Sequence, residues 1–204
     1  MLMLTGGGIV LLSHQGTDRS PTTSAESATI EPSLPKDAPP SSSSPPVALR
    51  IPNLNIATTV NAAPTEVQFD HFLGYNVPSF GVPKDISSTT WWSDGPAPGS
   101  DGMAVVLGHA TFGGTAGVFN DLDALRPGDA VFVDRSEGPP AEFRVRKALT
   151  GVPKADAAAL NAVLNAEDGH AGIALITCGG GFDKEKGASP ANTVVIADLR
   201  VTTG

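Results

Sequence analysis

Two side chains in this 204-residue chain combine a reactive type with a setting that suits covalent chemistry. The single cysteine, Cys178, follows directly on the apolar run IALIT and precedes Gly179-Gly180-Gly181. A strand end is rigid and holds a nucleophile well. Glycines remove side-chain bulk, so another backbone can come close. The backbone N–H of Gly179 is a candidate oxyanion donor. His109 has a matching context, just past an apolar strand in VVLGHATFGG, 69 positions before the cysteine (178 − 109). A Cys–His pair lets a thiolate attack an acyl carbon while an imidazole moves the proton. Two plainer readings stand beside this one: a small buried thiol near a flexible turn, and a solvent-facing loop histidine. His14 lies near the chain start, His71 in a polar loop, and His170 at the opposite end of the Cys178 strand, ~20 Å away at ~3.3 Å per residue. One Cys and four scattered His show no zinc spacing, and nothing calls for a metal or cofactor.

The elements that must position this pair are mostly strands. Short Val/Ile-rich runs fall at 47–52, 54–60, 103–108, 129–134, 141–149, 172–177 and 193–201. Turn signals such as RPGD (126–129) and EGPP (137–140) separate them. Short helices are expected at 119–125, where Phe119, Leu122 and Leu125 recur at threes, and at 156–164. Many strands with few helices imply a barrel or sandwich.

The ordered domain is expected to run over 47–204. Before it, residues 21–46 hold 17 Ser, Thr or Pro in 26 positions, too little apolar surface to repay ordering. We therefore read 13–46 as a disordered linker. Residues 2–12 are largely apolar but shorter than the roughly 20 needed to span a bilayer. They also lack the basic residues that open a signal peptide. Residues 1–12 are expected to be the remnant of a longer hydrophobic anchor or leader. The net charge of −8, without a Lys/Arg cluster, argues against nucleic-acid binding and against a polybasic membrane patch.

The segments LGHA (107–110), GVFNDLDALRPGD (117–129) and LITCGGGFD (175–183), in that order, resemble the sortases, most closely the actinobacterial class F. ALRIPNLNI (48–56) and WWSDGPAPG (91–99) extend the likeness over about 47–200. The resemblance implies a mostly β fold: an eight-stranded sortase-type barrel with one or two short helices. It implies a monomeric cysteine transpeptidase on the extracellular face of a bacterial cytoplasmic membrane. Cys178 would cleave a C-terminal sorting signal, often of the L-P-x-T-G kind, and form a thioacyl intermediate. His109 would protonate the leaving amine and deprotonate the acceptor amine of the cell wall or a surface protein. Thr177 would help line the site.

One departure stands out. Sortases carry an arginine after the cysteine that stabilises the substrate carbonyl, about twelve positions on in class F, and here that place holds Pro190. Arg200 is the first arginine after Cys178, about eight residues (~26 Å) beyond Asn192 along a strand. Asn192 is a candidate neutral donor, and Lys184 or Lys186 a candidate cation from the loop. The departure keeps an alternative open: a catalytically weak or inactive sortase-fold module that binds peptide at the cell surface. An L,D-transpeptidase, with its S-H-G-C-type motif, is set aside because Ile176-Thr177 precedes Cys178.

Overall fold

The Val/Ile-rich runs pair into a closed eight-stranded barrel in the computed structural model, which describes residues 44–165 and 170–200. The leader at 1–12 and all of the linker but residues 44–46 lie outside the described residues. In chain order the strands are β1 (Pro46–Ile51), β2 (Ile56–Ala63), β3 (Thr65–Asp70), β4 (Tyr75–Phe80), β5 (Thr89–Trp92) and β6 (Met103–Gly108). They continue with β7 (Thr111–Phe112), β8 (Thr115–Ala116), β9 (Ala130–Arg135), β10 (Ala141–Pro153), β11 (Gly172–Gly179) and β12 (Ala191–Leu199). Around the barrel the order is β1-β2-β5-β6-β11-β12-β10-β9, with β9 pairing back onto β1. The β3–β4 and β7–β8 hairpins stand outside it.

β11 is buried along its first six residues, so it reads as one apolar run with no alternation. The alternation is still there, between two apolar surroundings. Ile173 and Leu175 join the cluster inside the barrel, with Val106, Val195 and Phe143. Ala174 and Ile176 join a second cluster on the outer wall, with Val105, Val194, Val152 and Leu164. The one α-helix among the described residues, α1 (Ala157–Asn165), covers that outer wall, and Asp156 accepts hydrogen bonds from the Ala158 and Ala159 amides at its start. No helix of the described residues is long and apolar enough to cross a membrane.

The structure corrects the helix expected at 119–125. Only a 3₁₀ turn forms, at Leu122–Ala124. Its amides bond three residues back: Leu122 to Phe119, Ala124 to Asp121 and Leu125 to Leu122. A repeat of three per turn is the 3₁₀ period, which brings Phe119, Leu122 and Leu125 together into the core. β5 and the β3–β4 hairpin, absent from the expected strands, complete the picture. β5 is only TTWW, and its buried threonine hydroxyls donate to the carbonyls of Thr59 and Gly81.

Candidate active site

β6 and β11 run parallel, pairing Met103 with Gly172, Val105 with Ala174 and Leu107 with Ile176. Each pair is offset by 69 residues (172 − 103), and His109 and Cys178 have the same offset. The pair stands one step of two beyond the last paired residues, where side chains return to the same face. That face is the outer one, shared by Leu107 and Ile176. Both residues line one cavity of about 390 Å³, bounded by the β3–β4 hairpin, the loop at 81–88, the ends of β6 and β11, and the start of α1.

Cys178 is exposed. Gly180 and Gly181 take φ of 78° and 75°, a left-handed conformation that turns the chain sharply away after the cysteine. The run of glycines is thus needed by the backbone itself. Gly179 still belongs to β11, opposite Ala191, and does not line the cavity. Thr177 and Asn192 do line it, Asn192 lying directly opposite Cys178 in the ladder. Thr177 Oγ1 is buried and has no hydrogen-bond partner among the described residues.

His109 is half-buried and fixed from two sides. Its Nε2 donates to the Pro83 carbonyl at 2.8 Å. A carbonyl oxygen only accepts, so Nε2 carries the proton and Nδ1 is left for proton exchange. The supporting loop is itself pinned. Asp85 accepts hydrogen bonds from the hydroxyls of Ser88 and Ser87 and from their amides, which hold its carboxyl at about 2. Val118 N–H donates to the Ile86 carbonyl at 3.0 Å. Behind His109 the chain returns through the β7–β8 hairpin, with Phe119 N–H donating to the His109 carbonyl at 2.9 Å. Gly117 passes so close that a β-carbon there would sit 2.2 Å from that carbonyl oxygen.

The cation beside the sulfur is a residue the sequence did not single out. Lys154 Nζ donates to Cys178 Sγ at 3.3 Å. Lys154 lies just past the end of β10. Val152 pairs with Asn192, Asn192 pairs with Cys178, and Lys154 is two positions beyond Val152, on the same outer face. Its amide donates to the Pro190 carbonyl at 3.0 Å, carrying the ladder one step further. The signal was the register of a 13-residue β10, which was expected to end at 149. Lys184 and Lys186 are exposed on a turn capped by Asp183 and do not line the cavity. Arg200 is engaged at the far end of the barrel, where its guanidinium bonds Glu142 at 3.0 Å. That contact, helped by Arg144, holds the Glu142 carboxyl below its ordinary range. Among the described residues, no group of three or more His, Cys, Asp or Glu is placed to hold a metal ion.

A family model described as a sortase domain matches residues 49–200. No curated protein matches the chain in sequence. Its fold is similar to that of sortase C-1 from Actinomyces oris (19% identity, TM-score 0.53, covering 77% of this chain and 76% of that one). It is also similar to sortase E1 from Streptomyces coelicolor, solved with a tripeptide in the active site (17% identity, TM-score 0.54, 78% and 89% covered). Sortase A from Listeria monocytogenes gives 13% identity and a TM-score of 0.53, with 78% and 89% covered.

Proposed function

The chain belongs to the sortase family of cysteine transpeptidases, and from that premise we propose that Cys178 and His109 cleave a C-terminal sorting signal and pass the acyl group to an amine on the cell envelope. The observation that carries the reading is the common register of the two residues at the ends of neighbouring parallel strands, facing one cavity. The Cys178 thiol passes its proton to His109, and the resulting thiolate attacks the scissile carbonyl carbon, forming a C–S bond as the carbonyl electrons move to oxygen. The tetrahedral intermediate collapses, the C–N bond breaks, and His109 protonates the leaving amine. An acceptor amine, deprotonated by His109, then attacks the thioester and releases the thiolate. Thr177 and Asn192 bound the substrate at the cavity wall.

The finer assignments share this footing. The motif order of the sequence favours class F. A leader at 1–12, a linker at 13–46 and a catalytic domain at 47–204 suit an enzyme held outside the cytoplasmic membrane, acting as a monomer on secreted proteins.

The test is acyl trapping. Incubation with an L-P-x-T-G-type peptide is expected to add the acyl mass to the protein, with no adduct in Cys178→Ala. His109→Ala is expected to slow turnover by about 10²–10⁴-fold. A second reading, a peptide-binding module with little turnover, is favoured by one observation: among the described residues, no arginine lines the cavity. Peptide binding with no adduct on the wild-type protein would establish it in place of the first.

A further inference from the structure

We propose that Lys154 is the catalytic cation of this enzyme, supplied from the end of β10 to stabilise first the Cys178 thiolate and then the oxyanion of the tetrahedral intermediate. The proposal rests on the transpeptidase reading for its second half only.

The contact is direct: Nζ lies 3.3 Å from Sγ. Among the described residues no carboxylate is within ion-pairing distance of this ammonium, so its charge is not already spent on an acidic neighbour. The nearest acid in sequence, Asp156, turns its Oδ1 to the amides at the start of α1. The other titratable groups facing the cavity are Asp70, His71, Asp156 and His109. Asp70 Oδ1 accepts from the amides of Phe72 and Leu73, within the hairpin turn. The sulfur thus has a cation as its hydrogen-bond donor, placed where negative charge gathers on the nucleophile.

The oxyanion would form two bonds from the sulfur. An ammonium has three donors on a flexible stem, so one that touches the sulfur reaches that oxygen without backbone movement. The geometry also divides the work around Cys178. His109 comes from β6 on one flank of β11, and Lys154 comes from β10, beyond β12, on the other. Charge stabilisation and proton transfer thus approach the sulfur from opposite sides.

The experiment compares wild type, Lys154→Met and Lys154→Arg in two measurements on the folded proteins, with melting curves to confirm folding. One is the pH dependence of Cys178 carbamidomethylation by iodoacetamide. Lys154→Met is expected to slow it several-fold at pH 7 and little at pH 10, and Lys154→Arg to restore most of it. The other is acyl-enzyme formation with the L-P-x-T-G-type peptide. Lys154→Met is expected to lose about 10²-fold, the cost of one oxyanion donor, and Lys154→Arg to keep a large part. Equal alkylation profiles and equal acylation in wild type and Lys154→Met would overturn the proposal while leaving the transpeptidase reading intact. A wild type that never acylates, yet shows the lysine-dependent alkylation profile, would overturn the oxyanion role with the transpeptidase reading and support the thiolate role.

Discussion

At the scale of single residues, the site is a thiol with a charged neighbour on one side and a tethered imidazole on the other. Thr177 adds a third kind of contribution. A buried hydroxyl without a partner normally costs the fold about 1–3 kcal/mol. Thr177→Val removes that hydroxyl at nearly constant volume, so the fold is expected to keep its melting temperature or gain about 2 °C. If the hydroxyl bonds the substrate, the peptide KM should rise several-fold in the same variant. A clear drop in melting temperature would show that the hydroxyl is satisfied in the free protein. The placing of Cys178 and His109 at the ends of neighbouring strands was legible in the sequence, because each ends an apolar run and opens a Gly-rich segment. Lys154 was not, because its place depends on two cross-strand pairings, Val152 with Asn192 and Asn192 with Cys178, that join segments far apart in the chain.

At the scale of elements, His109 is set by two loops that no local pattern announces. One carries the Pro83 carbonyl, and the other brings Gly117 against the His109 backbone. Gly117→Ala must push a β-carbon into the His109 carbonyl, and the histidine with it. A displacement near 1 Å at a reacting group costs on the order of 10²-fold in turnover. We expect a loss of that size, measured as acyl transfer, with Cys178 still open to thiol reagents. Turnover within twofold of wild type would show that the loop yields without moving His109. The strongly apolar barrel strands were legible because residues buried on both faces give unmistakable Val/Ile runs. β5 was not, because its threonines satisfy their hydroxyls internally and so look polar in sequence while being buried. The 3₁₀ turn at Leu122–Ala124 was misread because apolar residues three apart suit either helix type, and only the hydrogen bonds decide.

At the scale of the whole barrel, β9 and β1 form the closing seam, and a charged pair spans it. Arg50 Nε and Nη2 donate to the two Asp134 carboxylate oxygens at 2.9 and 2.7 Å, with the guanidinium 5.2 Å from the centre of the Phe132 ring. The hydrogen bonds from Arg50 hold the Asp134 carboxyl below its ordinary value, against a smaller opposing effect of burial. A depressed carboxyl stabilises the fold above its unfolded pKa of about 4, and the contribution disappears as pH falls through the lower folded value. Both partners are partly exposed, so Asp134→Asn is expected to cost no more than about 1 kcal/mol, or roughly 2–4 °C at pH 7. The melting temperatures of variant and wild type should converge once pH has fallen through the depressed folded value of Asp134. A gap that persists there would assign the effect to packing instead. Closure has a further consequence for how the enzyme can vary. A closed barrel leaves no free edge along which one strand can slip. A single-residue insertion within β6 or β11 would rotate either His109 or Cys178 to the opposite face of the wall. Only changes of two residues preserve their shared phase. The loops of the excursion joining these two strands, outside β9 and β10, are under no such parity rule, so length variation among active homologues should accumulate there.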